Sequence, residues 1–192
     1  MTLTKLQTIA SGTGATVRTI DTVFNDTISV KDFGAVGNGT NNDATAIQAA
    51  INSATDGGVI YFPQGTYLCN AKIETTKHVS LIGEGPKSTE IVFATTDGIK
   101  IDRSSTGERD DSILIKNLSI LCKTQGTKVG LELVMKESAA PKAAKVAIYN
   151  CNFHGFDITN TNTNQFDWLT AIKLNPADKA VFQGKNPANK TT

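Results

Sequence analysis

The chain has 192 residues, 39% of them hydrophobic and 6% aromatic, and its 19 Lys and Arg against 18 Asp and Glu leave a formal charge of +1. That length allows one domain with a short extra segment, and the near-zero charge excludes the broad basic face that neutralises nucleic-acid phosphates. No run approaches the roughly 18 apolar residues of a membrane span, so no membrane insertion is expected.

Ile (17) and Val (11) together outnumber Leu (11), and Thr is the commonest residue at 26. Branching at Cβ favours pleated, half-buried strands over helices. The opening Met1-Thr2-Leu3-Thr4-Lys5-Leu6-Gln7 has no basic flank leading into an apolar stretch, so no export signal is read there. Without one, Cys69, Cys122 and Cys151 read as reduced packing residues. Residues 1–30 are polar and Thr-rich. They hold too little apolar surface for a core of their own and read either as a disordered arm or as a segment ordered only by a partner chain.

Lys31 to Asp43 is a turn-dense loop in which Gly34, Gly37 and Gly39 can take positive φ. Its spacing is not that of a phosphate-binding loop, and no Gly-Lys-Ser/Thr follows. A helix is predicted over 43–55. Asn42 or Asp43 would cap its N-terminus, and Ala46, Ile47, Ala50, Ile51 and Ala54 make one apolar stripe. Gly57-Gly58 would stop it. The period then changes to two: Gly58 to Phe62 reads as a strand, Pro63-Gln64-Gly65 as a turn, and Thr66-Tyr67-Leu68 as a second strand.

A repeat follows. Ile115-Lys116-Asn117-Leu118-Ser119-Ile120 and Ile148-Tyr149-Asn150-Cys151-Asn152-Phe153 share the pattern apolar-x-Asn-apolar-x-apolar at an offset of 148 − 115 = 33. A degraded copy begins at Ile82, again 115 − 82 = 33 residues earlier. A smaller motif recurs as Gly98-Ile99-Lys100-Ile101, Gly130-Leu131-Glu132-Leu133 and Ala171-Ile172-Lys173-Leu174. One unit cannot bury its own apolar side; stacked units can. Parallel pairing would set Leu118 on Cys151, Ile120 on Phe153 and Asn117 on Asn150. In the small motif, alternation turns Lys100, Glu132 and Lys173 outward as one column.

The segment Asp32-Phe33-Gly34-Ala35-Val36-Gly37-Asn38-Gly39, then Asp43 and the Ala46–Ile51 helix, then Gly58 to Tyr67, resembles the entrance of the pectate-lyase-like parallel β-helix superfamily. The resemblance implies an all-β, right-handed, three-sheet parallel β-helix of about three coils over 31–174. Ala46, Ile47, Ala50 and Ile51 of the N-terminal helix would cap its open end, and a polar tail would occupy 175–192. The preceding Gly14 to Ile20 and Asp26 to Ala35 resemble the joint between virion-binding region and β-helix in bacteriophage tailspikes. That implies a homotrimer with two identical chains, an arm over 1–30 docked to a phage tail or baseplate protein, and recognition of host capsule or O-antigen polysaccharide. It also implies a virion location after assembly in the host cytoplasm. Tailspike β-helices usually run for more coils. The chain therefore reads either as the front of a longer spike or as a short spike whose end a partner covers.

Glycan hydrolysis needs two carboxyl groups about 5–9 Å apart, one protonated and one ionised. Only Asp110 and Asp111 are adjacent, in a polar stretch that reads as a loop, and they are weak candidates. The motifs of polygalacturonase-like enzymes are missing, and His78 and His154 stand apart from Gly-His-Gly contexts. Cys151 reads as packing, not as the nucleophile of a Cys–His pair. No metal-ligand spacing is seen, and no cofactor is expected. The expected role is attachment and glycan recognition; the alternative is a polysaccharide depolymerase, a glycosidase or lyase.

Overall fold

The computed structural model describes residues 7–9, 17–19, 27–104, 112–123, 128–135, 145–155 and 168–175. Strands β1 (Gln7–Ile9) and β2 (Val17–Thr19) pair antiparallel. Strand β3 (Thr27–Ser29) is followed by a 3-10 turn (Val30–Phe33), β4 (Asn38–Asn42) and the helix α1 (Ala44–Ser53). Short strands succeed it: β5 (Val59–Tyr61), β6 (Gly65–Cys69), β7 (Ile73–Thr75), β8 (Ser80–Ile82), β9 (Thr89–Phe93) and β10 (Ile99–Asp102). The remaining strands are β11 (Ser112–Cys122), β12 (Val129–Val134), β13 (Lys145–Gly155) and β14 (Thr170–Asn175).

From β3 onward every described pairing is parallel. One row runs β3, β5, β8 and the first half of β11, a second β4, β6, β9 and the second half of β11, and β13 lies along both halves. A third row runs β7, β10, β12, β14. The two halves of β11 bend at Asn117 (φ 57°) and those of β13 at Asn150 (φ 51°). Both asparagines take the left-handed conformation that an Asn tolerates better than a bulky residue. The described residues are thus mostly β, with parallel strands curled around a shared core and one helix among them, as in a parallel β-helix.

Equivalent residues stack in columns. Ile60, Leu81, Ile115 and Ile148 form one; Tyr67, Ile91, Ile120 and Phe153 a second; Cys69, Phe93 and Cys122 a third; Ile73, Ile99, Leu131 and Ile172 a fourth. Leu118 pairs with Cys151 and Ile120 with Phe153. Leu118 and Ile120 are fully buried, whereas Cys151 and Phe153 are half-buried. Gly98 sits where two coils approach closely: a Cβ there would lie 1.9 Å from the Gly130 carbonyl oxygen. Hence the first two copies of the small motif open on glycine, at Gly98 and Gly130.

Four expectations need correction. The partner of Ile115 is Leu81, not Ile82, an offset of 115 − 81 = 34. The repeat is broken just beyond, because residues 83–89 span the interval that Asn117 and Leu118 alone span on β11. The arm was expected to end at residue 30, yet Thr27–Ser29 pairs with β5 and Val30 is fully buried, so 27–29 belong to a sheet and Val30 to the core. Gly57-Gly58 does not stop the helix. It ends at Ser53, where Lys77 Nζ donates to the Asn52 and Ala54 carbonyls at 2.6 Å each. Asp43 makes no cap bond to the helix. Its buried carboxylate accepts from the N–H groups of Val36 (2.7 Å) and Gly37 (3.0 Å), and Asn42 Oδ1 accepts from Ala44 N–H at 3.3 Å.

Two substitutions test the columns. Leu118→Asp puts an unpaired charge into a fully buried position, with an expected loss of several kcal/mol; a wild-type urea midpoint would overturn the register. Asn150 Nδ2 donates to Asn117 Oδ1 at 3.0 Å. Asn117→Gly removes that bond and should cost about 1 kcal/mol. Asn117→Ala adds left-handed strain and should cost about 2–3 kcal/mol, measured in the same unfolding series.

Candidate functional site

A concavity with polar lining lies outside the third row, between its first strands and the end of α1. It is a groove of about 450 Å³. Asn52 and Lys77 form one wall, Glu74, Thr75 and Thr76 follow along the end of β7, and Lys100, Asp102 and Ser104 complete it from β10. Period-two alternation explains the lining: Ile73, Ile99 and Ile101 point into the core, so Glu74, Lys100 and Asp102 point out.

The outward residues form a column of alternating charge. Glu74 pairs in register with Lys100, Lys100 with Glu132, and Glu132 with Lys173. Lys173 Nζ lies 2.8 Å from Glu132 Oε1, Lys100 Nζ 2.9 Å from Asp102 Oδ2, and Lys72 makes an ion pair with Glu74. The sequence showed three members of this column; Glu74 is the fourth.

Asp102 accepts from the Ser104 hydroxyl at 2.6 Å and the Ser104 N–H at 3.1 Å. Donation by the Ser104 hydroxyl, then by Lys100, pulls its carboxyl down to about 2. Lys100 is raised, first by its bond to Asp102 and further by Asp102, Glu132 and Glu74 as charges. Such a carboxylate stays ionised and accepts hydrogen bonds; it does not donate a proton.

The groove is held from behind. Arg103, 1% exposed, sends Nη1 to Asp56 Oδ1 at 3.2 Å and to the Thr76 carbonyl, and its own N–H bonds the Val134 carbonyl at 2.6 Å. This anchors Asp102 and Ser104, its chain neighbours, against the helix-end loop. On the helix side, Gln48 Oε1 accepts from Glu74 N–H (3.0 Å) and Gln48 Nε2 donates to Glu74 O (2.8 Å). One amide side chain thus occupies both backbone groups of β7 as a neighbouring strand would.

Of the expected site residues, Asp110 and Asp111 lie outside the described residues. Asn117, Leu118, Ile120, Asn150, Cys151 and Phe153 lie along β11 and β13, away from the groove. Ile47, Ala50 and Ile51 are fully buried on α1, with Ala46 half-buried beside them. Cys151 is raised by burial, as suits a packing thiol. Among the described residues no group of three His, Cys, Asp or Glu could hold a metal ion. Sequence reasoning missed Gln48, Asp102, Arg103 and Ser104. The only available signal was a charged or hydroxyl residue at each outward position from 100 to 104.

The depressed carboxyl of Asp102 has a pH consequence. Its folded value of about 2 lies below the ordinary 3.8, so its contribution is complete above about pH 4 and is lost as pH falls through about 2. Urea midpoints of wild type and Asp102→Asn should differ at pH 7 and converge toward pH 2. A gap that widens in acid would contradict the assignment.

Comparison with known proteins adds the family. A family model described as rhamnogalacturonase A/epimerase, pectate lyase-like, matches residues 27–170. The chain is 47% identical over 68 residues to the plasmin and fibronectin-binding protein A of Streptococcus pneumoniae, covering 33% of this chain and 10% of that protein. It is 28% identical over 144 residues to a probable glucan endo-1,3-beta-glucosidase of Arthroderma benhamiae, covering 71% of this chain and 16% of that one. The chain therefore spans only a small share of these curated relatives. Among solved structures, ORF18 of Geobacillus virus E2 is similar with a TM-score of 0.54 and 26% identity over 70% of this chain and 28% of that one. The model match starts at the residue where the parallel pairing starts, and the chain belongs to the rhamnogalacturonase A/epimerase, pectate lyase-like family.

Proposed function

We propose that the chain is the glycan-recognising front of a phage tailspike: a right-handed, three-sheet parallel β-helix of about three coils that α1 caps. Residues before β3 join it to two identical chains and to a tail or baseplate protein on the virion, after assembly in the host cytoplasm. The observation that carries the glycan reading is the groove, which an ionised Asp102 and Glu74 from the strands and Asn52 from the end of α1 line together with Thr76 and Ser104. Carboxylates, amides and hydroxyls on a fixed frame suit the vicinal hydroxyls of a polysaccharide. Family membership and a viral structural relative support the reading. The Gln48 amide on β7, and the buried stripe of Ile47, Ala50 and Ile51, support the cap.

The reading is binding without cleavage. An acid catalyst needs a raised carboxyl opposite a second carboxylate. The groove instead holds Asp102 depressed and matches Glu74 with Lys72. The competing reading is a depolymerase, favoured by the sequence match to a probable glucanase.

One set of measurements on the purified chain decides between them. Sedimentation equilibrium should give three chains, and deletion of residues 1–26 should give one chain with unchanged β circular dichroism. Affinity electrophoresis in gels containing host-surface polysaccharide should retard the protein, with no new reducing ends released. New reducing ends that vanish in Asp110→Asn or Asp111→Asn would establish the depolymerase instead. A stable full-length monomer would contradict the assembly.

A further inference from the structure

We infer that the groove selects a neutral glycan and rejects a polyuronate, an inference that rests on the glycan reading above. The reason is charge compensation. A uronate carboxylate binds tightly where a cation awaits it, as an arginine fork or an unshared ammonium. Three of the ammonium groups around this groove already have anionic neighbours. Lys72 pairs with Glu74, Lys100 with Asp102, and Lys173 with Glu132. Three ammonium groups face three carboxylates, and the column sets Lys100 between Glu74 and Glu132 besides. Lys77 commits two of its three Nζ donors to the carbonyls of Asn52 and Ala54. Arg103 lies buried behind the wall, with Nη1 on Asp56 and the Thr76 carbonyl.

A polyuronate laid along this wall would bring its carboxylates beside Glu74 and Asp102. It would have to displace an existing partner from Lys100 to gain an ion pair. Like charges placed side by side lower affinity, and the exchange of one carboxylate for another gives no net attraction. A neutral sugar meets no such penalty. Its hydroxyls donate to Asp102 and Glu74 and accept from the Asn52 amide, while the existing ion pairs stay in place. Specificity here comes from the repulsive element as much as from the attractive one.

The test is affinity electrophoresis of the whole chain in gels containing either neutral polysaccharides (a β-1,3-glucan, a mannan, a dextran) or acidic ones (alginate, polygalacturonate). Wild type should be retarded by at least one neutral gel, at least tenfold more strongly than by either acidic gel at equal concentration. Asp102→Asn removes the partner of Lys100 without changing the wall's shape. It should gain retardation in alginate, and added salt should abolish that gain. Equal or stronger binding of wild type to the acidic gels overturns the inference while leaving glycan recognition intact. Failure of Asp102→Asn to gain alginate binding overturns the role given to compensation. No retardation in any gel sinks the glycan reading and this inference together.

Discussion

In-register parallel stacking is the constraint from which the rest of this protein follows. When each strand lies directly over its equivalent, every side chain faces a copy of its own position about 4.8 Å away. A column must therefore tolerate its own repetition. Apolar columns do so by packing, as Ile60, Leu81 and Ile115 show. Asparagine does so because its amide both donates and accepts, and Asn150 bonds Asn117 in that way. Charge cannot repeat, because like charges directly opposite destabilise a sheet. The column Glu74, Lys100, Glu132, Lys173 meets this rule by alternating sign.

Stacking also creates ends, and an end strand exposes unpaired backbone and a row of apolar side chains. The helix lies beside β7, the end strand of the third row. Its stripe of Ile47, Ala50 and Ile51 joins the core, and Gln48 supplies the donor and acceptor that a further strand would have given Glu74. The turn leading into the helix is held by Asp43, whose two carboxylate oxygens bind the N–H groups of Val36 and Gly37. A buried carboxylate with two backbone donors is stable where an unpaired one would not be.

The stacking was legible in the sequence wherever the repeat was intact. The 33-residue offset between Ile115 and Ile148 is the pairing the strands adopt, and so are the offsets linking Ile99, Leu131 and Ile172. It was misread at Ile82, where a degraded copy was read at the same offset although seven residues replace two; an insertion inside a turn leaves the apolar pattern alone and shifts only the phase. Helix position was legible and helix ends were not, because Asp43 and Lys77 act across the chain on partners that propensity does not reveal. The groove was not legible at all. It exists because α1 stops beside β7 and β10, and because Arg103 reaches Asp56, 47 residues away in sequence. No spacing rule connects residues whose meeting depends on where a helix ends.

The column of Cys69, Phe93 and Cys122 carries a consequence for thiol chemistry. The two cysteines face the same core but stand two strands apart, about 9.6 Å, with a phenyl ring between them. A disulfide needs Cα atoms within about 7 Å, so oxidation cannot link them without breaking the sheet. Cys69 is further quieted by burial, which pushes its thiol up to about 12, and few thiolates are present to react. Cys151 stacks on Leu118, not on another cysteine. The fold therefore needs no oxidant to form and has no cross-link to lose, and its stability should be indifferent to the redox state of its surroundings.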